Sequence, residues 1–340
     1  MVSQRADALS RHAERRGWWS HFAAQQATLL LAVVILLVTV LAYLGFYQAQ
    51  FHHFPNGFAW DSTITNALPL VFVGVGQGIV VLTRGLDLSV GGTMDLTNSL
   101  AATHMHASPG SMIGWSLIVL AVGAAVGVLN GLLITVGRLQ PIVVTIGTMS
   151  ILQGLAAAIL PQPGGSIPAA YTNVMGNTGS PAGLLFVAIV LAFWLVLRRR
   201  PLGVALYAIG NDPQAAAANG VNVTRTRIAA YVLSGVLAAA AGLFLAASSS
   251  GGDATGGDSY LLASFAAVVL GGVSFFGGRG SMVGVVCGAG VLTVLVSLLF
   301  YAKVNSFYES FYQGVFLVGA VLLGLGVTAL TRRGRRGGAR

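Results

Sequence analysis

Long apolar runs separated by short polar or basic connections recur from Ala27 to Leu330. A helix needs about 20 apolar residues to cross the ~30 Å hydrocarbon layer of a bilayer. Eight runs fit a crossing: Ala27–Tyr47, Asn66–Leu82, Met112–Val136, Ile142–Leu160, Gly183–Leu197, Ile228–Ala247, Val283–Tyr301 and Phe311–Leu330. Two shorter stretches, Leu88–Ala102 and Leu261–Phe276, are interrupted by glycine or polar residues and predict discontinuous helices buried among the others. The pattern therefore predicts an all-α, polytopic transmembrane helical bundle with about ten membrane segments. It divides the chain into a basic segment 1–26, one membrane domain 27–330 and a basic tail 331–340.

Composition supports lipid as the solvent. The 340 residues are 55% hydrophobic and 8% charged, against about 25% charged in soluble domains, and mean hydropathy is +0.81. The 46 glycines suit membrane helices, where small residues let backbones approach. Gly123, Gly127 and Gly131, and again Gly280, Gly284 and Gly288, recur every fourth residue and predict two close helix contacts.

The net charge of +9 does not point to nucleic acid, because the arginines lie in short connections between apolar runs. With the N-terminus inside, Arg84, Arg138, Arg198 to Arg200, Arg225, Arg227, Arg279 and both basic termini fall on the cytoplasmic side, and only Lys303 falls outside. That segregation follows the positive-inside rule. It requires both short segments to count as crossings, so both termini are expected in the cytoplasm of a multi-pass inner-membrane protein. The first apolar run is long enough to remain as a helix rather than act as a cleaved signal. Cys287 is alone in an apolar run, which excludes a disulfide framework.

Chemistry is concentrated in three places. The connection from Thr83 to Gly92 carries Gly85, Asp87, Ser89 and Gly91 and reads as a tight cytoplasmic turn, with Asp87 or Ser89 capping the next helix and Arg84 able to pair with Asp87. The helix after it places Asp95, Asn98 and Ser99 on one face. An aspartate in a membrane helix normally faces the protein interior or a water-filled path, so Asp95 is either a translocation-path residue or a hydrogen-bonded lock between helices. Asn66, Gln77, Asn130, Thr145, Thr148 and Gln153 add uncharged polar groups, suited to a polyhydroxylated solute and equally to interhelical hydrogen bonds. The candidate path comprises Asn66, Gln77, Asp95, Asn98, Thr145 and Thr148.

The third place is the cytoplasmic connection Arg198 to Arg227. There Asp212 can cap, Pro213 suits the first helical position, Gln214 and the alanines including Ala217 propagate, and Gly220 stops the helix. A helix this short is unstable alone in water and needs a docking partner, with Asn211, Asp212, Pro213, Gln214, Ala217 and Gly220 as the candidate docking residues. A P-loop requires G-x-x-x-x-G-K-[ST], and the only lysine, Lys303, precedes Val304. No zinc-protease motif, nucleophile elbow or clustered histidine appears, so no catalytic residue, metal or bound cofactor is expected. His52, His53, His104 and His106 are expected on outer loops.

Gly85-Leu86-Asp87-Leu88-Ser89-Val90-Gly91, Gly210-Asn211-Asp212 through Gly220-Val221-Asn222-Val223, and Ala266 to Gly272 with Gly277-Gly278-Arg279-Gly280 resemble, in order, the ribose-type permeases of ATP-binding-cassette importers. The resemblance runs from about Asn66 to Leu330. It implies a monosaccharide importer subunit working by alternating access, a permease dimer with an identical or paralogous copy, a separate cytoplasmic ATPase that uses ATP and Mg, and an extracytoplasmic sugar-binding protein. It also implies that the helix at about 212–220 is the coupling helix. Two features depart from the pattern: Asp95 stands where such permeases carry an apolar or small residue, and the basic N-terminal segment lies outside the resemblance. The competing class is an ion-coupled secondary transporter of a small polar solute, with Asp95 as proton carrier. A membrane enzyme lacks a catalytic constellation here, and a channel lacks a filter.

Overall fold

The computed structural model describes residues 28–176 and 182–305, with isolated positions between 308 and 319. The predicted span Phe311–Leu330 and both basic termini lie outside the described residues, apart from those isolated positions. The described chain is helical, with α1 Thr28–Phe51, α2 Gly57–Leu82, α3 Val90–His104, α4 Pro109–Thr135, α5 Pro141–Ile159 and α6 Ala169–Met175. After these come α7 Ala182–Leu197, α8 Pro201–Asn211, α9 Pro213–Ala218, α10 Val223–Ser249, α11 Asp258–Leu270 and α12 Met282–Tyr301.

Among the described residues six helices are long and apolar enough to cross a membrane, or up to seven if α7 and α8, bent by 75° at their junction, are taken together as one span. The expected count of about ten is not reached. It would require both short helices, α3 of 15 residues and α11 of 13, and the span beyond the described residues. Two boundaries also differ from the sequence reading. The second helix starts at Gly57 because the Asn56 side chain caps it by accepting from the Ala59 N–H at 2.9 Å, which brings polar Asp61 and Thr63 into the helix. The last short helix stops at Leu270, because Gly271 and the left-handed Gly272 (φ 75°) turn the chain, leaving Val273 to Phe276 outside it.

The core forms around α2, which is the most enclosed of the long helices and packs against α10, α12 and α11. α10 also contacts α4 and α3, and α3 contacts α5. The α4–α10 contact rests on the first glycine series: a Cβ at Gly127 would lie 2.6 Å from the Val232 Cα, and one at Gly131 would lie 2.9 Å from the Ile228 Cα. Such approach leaves no room for a side chain, as the fourfold spacing predicts. In the second series only Gly284 and Gly288 face α11. Gly280 is instead part of the α11–α12 turn at φ 125°, because the helix does not begin until Met282. Outward faces carry Leu41, Leu117, Leu185 and Leu262, each more than half exposed, which is what a lipid solvent selects.

Candidate functional site

Two buried polar groups and one surface unit emerge. The first group begins at the α2–α3 turn, where Asp87 is buried. Its Oδ1 accepts from the Ser89 N–H (3.1 Å) and hydroxyl (2.6 Å), and its Oδ2 accepts from the Ser234 hydroxyl of α10 (2.8 Å). Ser89 Oγ in turn accepts from Asn130 Nδ2 of α4 at 2.8 Å, and Asn130 Oδ1 accepts from Thr148 Oγ1 of α5 at 2.7 Å. One continuous network thus fastens the turn to α4, α5 and α10. Asp87 does not pair with Arg84, and Ser89 occupies the cap position of α3 without a side-chain cap bond, because its hydroxyl is committed to Asp87 and Asn130.

The second group lies where α3 meets the α10–α11 loop. Asp95 is fully buried; its Oδ1 accepts from the Gly257 N–H at 2.6 Å. Asn98 Oδ1 accepts from the Asp253 N–H at 3.0 Å. Gln153 of α5 donates to Asp258 Oδ1 at 2.5 Å, and Asp253 and Asp258 are electrostatic neighbours of Asp95. The loop is braced by an isolated antiparallel bridge between Gly164 and Gly252 and by the Ser166 N–H bonded to the Ala102 carbonyl at 2.9 Å. Unlike the first group, this one is not saturated: Asp95 Oδ2, Asn98 Nδ2 and Ser99 Oγ are buried without a hydrogen-bond partner among the described residues. Buried polar atoms are nearly always paired, so each unpaired one asks for an explanation.

Of the six path candidates, Asp95 and Asn98 therefore come together. Gln77 is fully buried on α2, with both amide atoms unpartnered among the described residues. Thr148 belongs to the Asp87 network, Thr145 Oγ1 donates to the Pro141 carbonyl of its own helix at 2.8 Å, and Asn66 is exposed. Sequence reasoning did not select Ser234, Asp253 or Asp258. The signal for the last two was available: two of only nine acidic residues stand close together in a glycine-rich break between apolar runs.

The surface unit is α8–α9. The sequence reading expected one helix at about 212–220, but Pro201 at a helix N-terminus starts a second, α8, that runs to Asn211. Asp212 caps α9, its Oδ1 accepting from the Gln214 (2.8 Å) and Ala215 (3.0 Å) N–H groups. These two bonds hold its carboxyl below the usual carboxylate range. Gly220 at φ 82° ends the unit, and among the α9 residues only Ala216 is buried. Arg84, itself left-handed at φ 62°, donates Nε to the Gly210 carbonyl at 2.7 Å and Nη2 to the Asn211 carbonyl at 2.5 Å. A cation at a helix C-terminus satisfies its free carbonyls and complements its dipole. Gly278, also left-handed, donates its N–H to the Leu82 carbonyl at 2.9 Å and accepts from Asn211 Nδ2 at 3.3 Å. The unit is thereby tied to the same turn that carries Asp87. No group of metal-binding side chains occurs among the described residues.

Residues 60–324 match the family model described as the branched-chain amino acid transport system / permease component. The chain is 37% identical to the ribose import permease protein of Bacillus subtilis over 265 residues, covering 74% of this chain and 80% of that one. It is 35% identical to the fructose import permease protein of Rhizobium meliloti, covering 76% and 75%. It is 34% identical to the autoinducer 2 import system permease protein of an Enterobacter species, covering 78% and 79%. No solved structure matches.

Proposed function

Since the chain belongs to the ABC-importer permease family that includes the ribose and fructose import permeases, we propose that it carries a monosaccharide across the membrane by alternating access. The observation that carries this reading is the identity of about a third or more to sugar permeases over three quarters of the chain. Two copies, identical or paralogous, would form the path. A separate chain would hydrolyse ATP with Mg, and an extracytoplasmic binding protein would deliver the sugar. The α8–α9 unit, with both termini on its side of the membrane, would rest in the ATPase.

The bonding supports a route for the work. An ATPase that closes on nucleotide moves α8–α9; Arg84 and Asn211 carry that displacement to the α2–α3 turn, and the Asp87 network passes it to α4, α5 and α10 together. Because the network is saturated, its helices shift as a body. Asp95, Asn98 and Gln77 are the polar groups left to meet sugar hydroxyls when the bundle opens. The test is uptake of labelled ribose and fructose into membrane vesicles holding the assembled transporter. ATP-dependent uptake that survives collapse of the ion gradient is expected. Uptake that follows a proton gradient without ATP would replace this reading with a secondary transporter working through Asp95.

A further inference from the structure

Beside the α2–α3 turn, a cavity of about 320 Å³ opens between that turn, the α4–α5 turn and the start of α10. Three guanidinium-bearing residues line it, Arg84, Arg138 and Arg227, together with Thr83, Thr135 and Thr224. No acidic residue lines it. Arg84 is engaged with the α8 carbonyls, whereas Arg138 and Arg227 make no ion pair among the described residues. Among the described residues, then, two cations without an acidic partner face one cavity, an arrangement that attracts an anion.

The rest of the lining selects its kind. Ile134, Leu139, Pro141 and Val223 give the cavity apolar walls. Leu139 is half exposed, and on the adjoining ends of α4 and α5 Val136 and Val143 are about two-thirds exposed. A soluble anion has no use for that surface, but an acyl chain does. Basic pockets between membrane helices on the cytoplasmic side hold anionic headgroups, and the volume is at the low end of the range for small-molecule sites. We propose that this cleft holds the phosphodiester headgroup of an anionic phospholipid, gripped by Arg138 and Arg227, with its chains along α4 and α5. The lipid would lie against the turn through which α8–α9 is fastened to the bundle.

Native mass spectrometry of the full chain, purified with whatever subunits accompany it and titrated with phosphatidylglycerol, phosphatidylcholine and inorganic phosphate, tests this. One phosphatidylglycerol per chain should be retained in preference to phosphatidylcholine and should resist displacement by phosphate. R138Q/R227Q should weaken retention about thirtyfold, R138K/R227K should largely preserve it, and R198Q/R199Q, which removes exposed arginines outside the cleft, should leave it unchanged. Undiminished retention in R138Q/R227Q, or equal loss in R198Q/R199Q, would overturn the site. Ready displacement by phosphate would make it a soluble-anion site and overturn the lipid. Loss of a co-purifying subunit in R138Q/R227Q with lipid retention intact would make the cleft a protein dock. If R138Q/R227Q fails to fold, R138K/R227K carries the test: retained lipid upholds a grip by positive charge, and lost lipid overturns it. The readout is lipid on the chain itself, so its outcome is separate from the identity of the solute and of the ATPase.

Discussion

Asp87 and Asp95 are both buried, at the start of and within the same short helix region, yet their surroundings are opposite. Both oxygens of Asp87 are occupied, and the chain of donors runs on through Ser89, Asn130 and Thr148. Among the described residues Asp95 has one oxygen bonded to Gly257 and the other unpartnered, beside an Asn98 amide nitrogen and a Ser99 hydroxyl that also lack partners. A saturated network in low dielectric is costly to break and holds helices in one arrangement. An unsaturated group stores binding capacity at the expense of stability, as sites do. The first region is expected to govern folding and the second transport.

The largest effect should come from Asp87→Leu, which strands the Ser89 and Ser234 donors. Each stranded buried group costs about 1–3 kcal/mol, so the yield of monodisperse protein in size-exclusion chromatography should collapse. Next, Asp95→Asn should reduce uptake by about tenfold, the equivalent of one hydrogen bond to the solute, while the melting temperature stays at or above that of the parent. A comparable loss of melting temperature in both variants would erase the distinction between the regions.

A finer contrast pairs Thr148→Val with Gln77→Leu. The first deprives Asn130 of its donor and should destabilise by about 1–3 kcal/mol. The second replaces an amide that has no partner among the described residues by an apolar side chain of similar size and should be neutral or stabilising in thermal melts, with uptake reduced. The smallest effect concerns Asp212. Its carboxyl is held below the usual range by the Gln214 and Ala215 N–H groups, so the cap is fully present at and above the pH where an unfolded aspartate ionises. It is lost only as pH falls through the depressed value. ATPase retention by the permease should accordingly be flat around neutrality and fall in acid, and Asp212→Asn, which keeps a capping oxygen without the titration, should remove the acid loss.

Much of this was legible in the sequence because it is written in local spacing. The apolar blocks located the long helices, the fourfold glycine series at Gly123, Gly127 and Gly131 announced a close contact for α4, whose partner α10 only the fold supplies, and Asp212-Pro213 marked the start of α9. Those signals are set by neighbours a few residues away. The start of α2 at Gly57 was missed because the Asn56 cap outweighs the polarity of Asp61 and Thr63, and α8 because its Pro201 sits among arginines that read as a loop. The site itself was only half legible. Asp95 and Asn98 stand out as polar residues in an apolar chain, but their partners Gly257 and Asp253 are joined to them only by tertiary folding. Likewise Arg84 is close to Asp87 in sequence, yet it bonds to Gly210 and Asn211, a pairing that no local spacing encodes.

The central claim, that this chain is the permease of an ATP-driven sugar importer, is tested most directly by purifying it in mild detergent from its native membrane and identifying by mass spectrometry the chains that accompany it. The account predicts a P-loop ATPase, retained by the intact chain and lost when residues 212–219 are deleted, with the chain still inserted in the membrane. Recovery of the chain alone, stable and active in gradient-driven uptake, would contradict it.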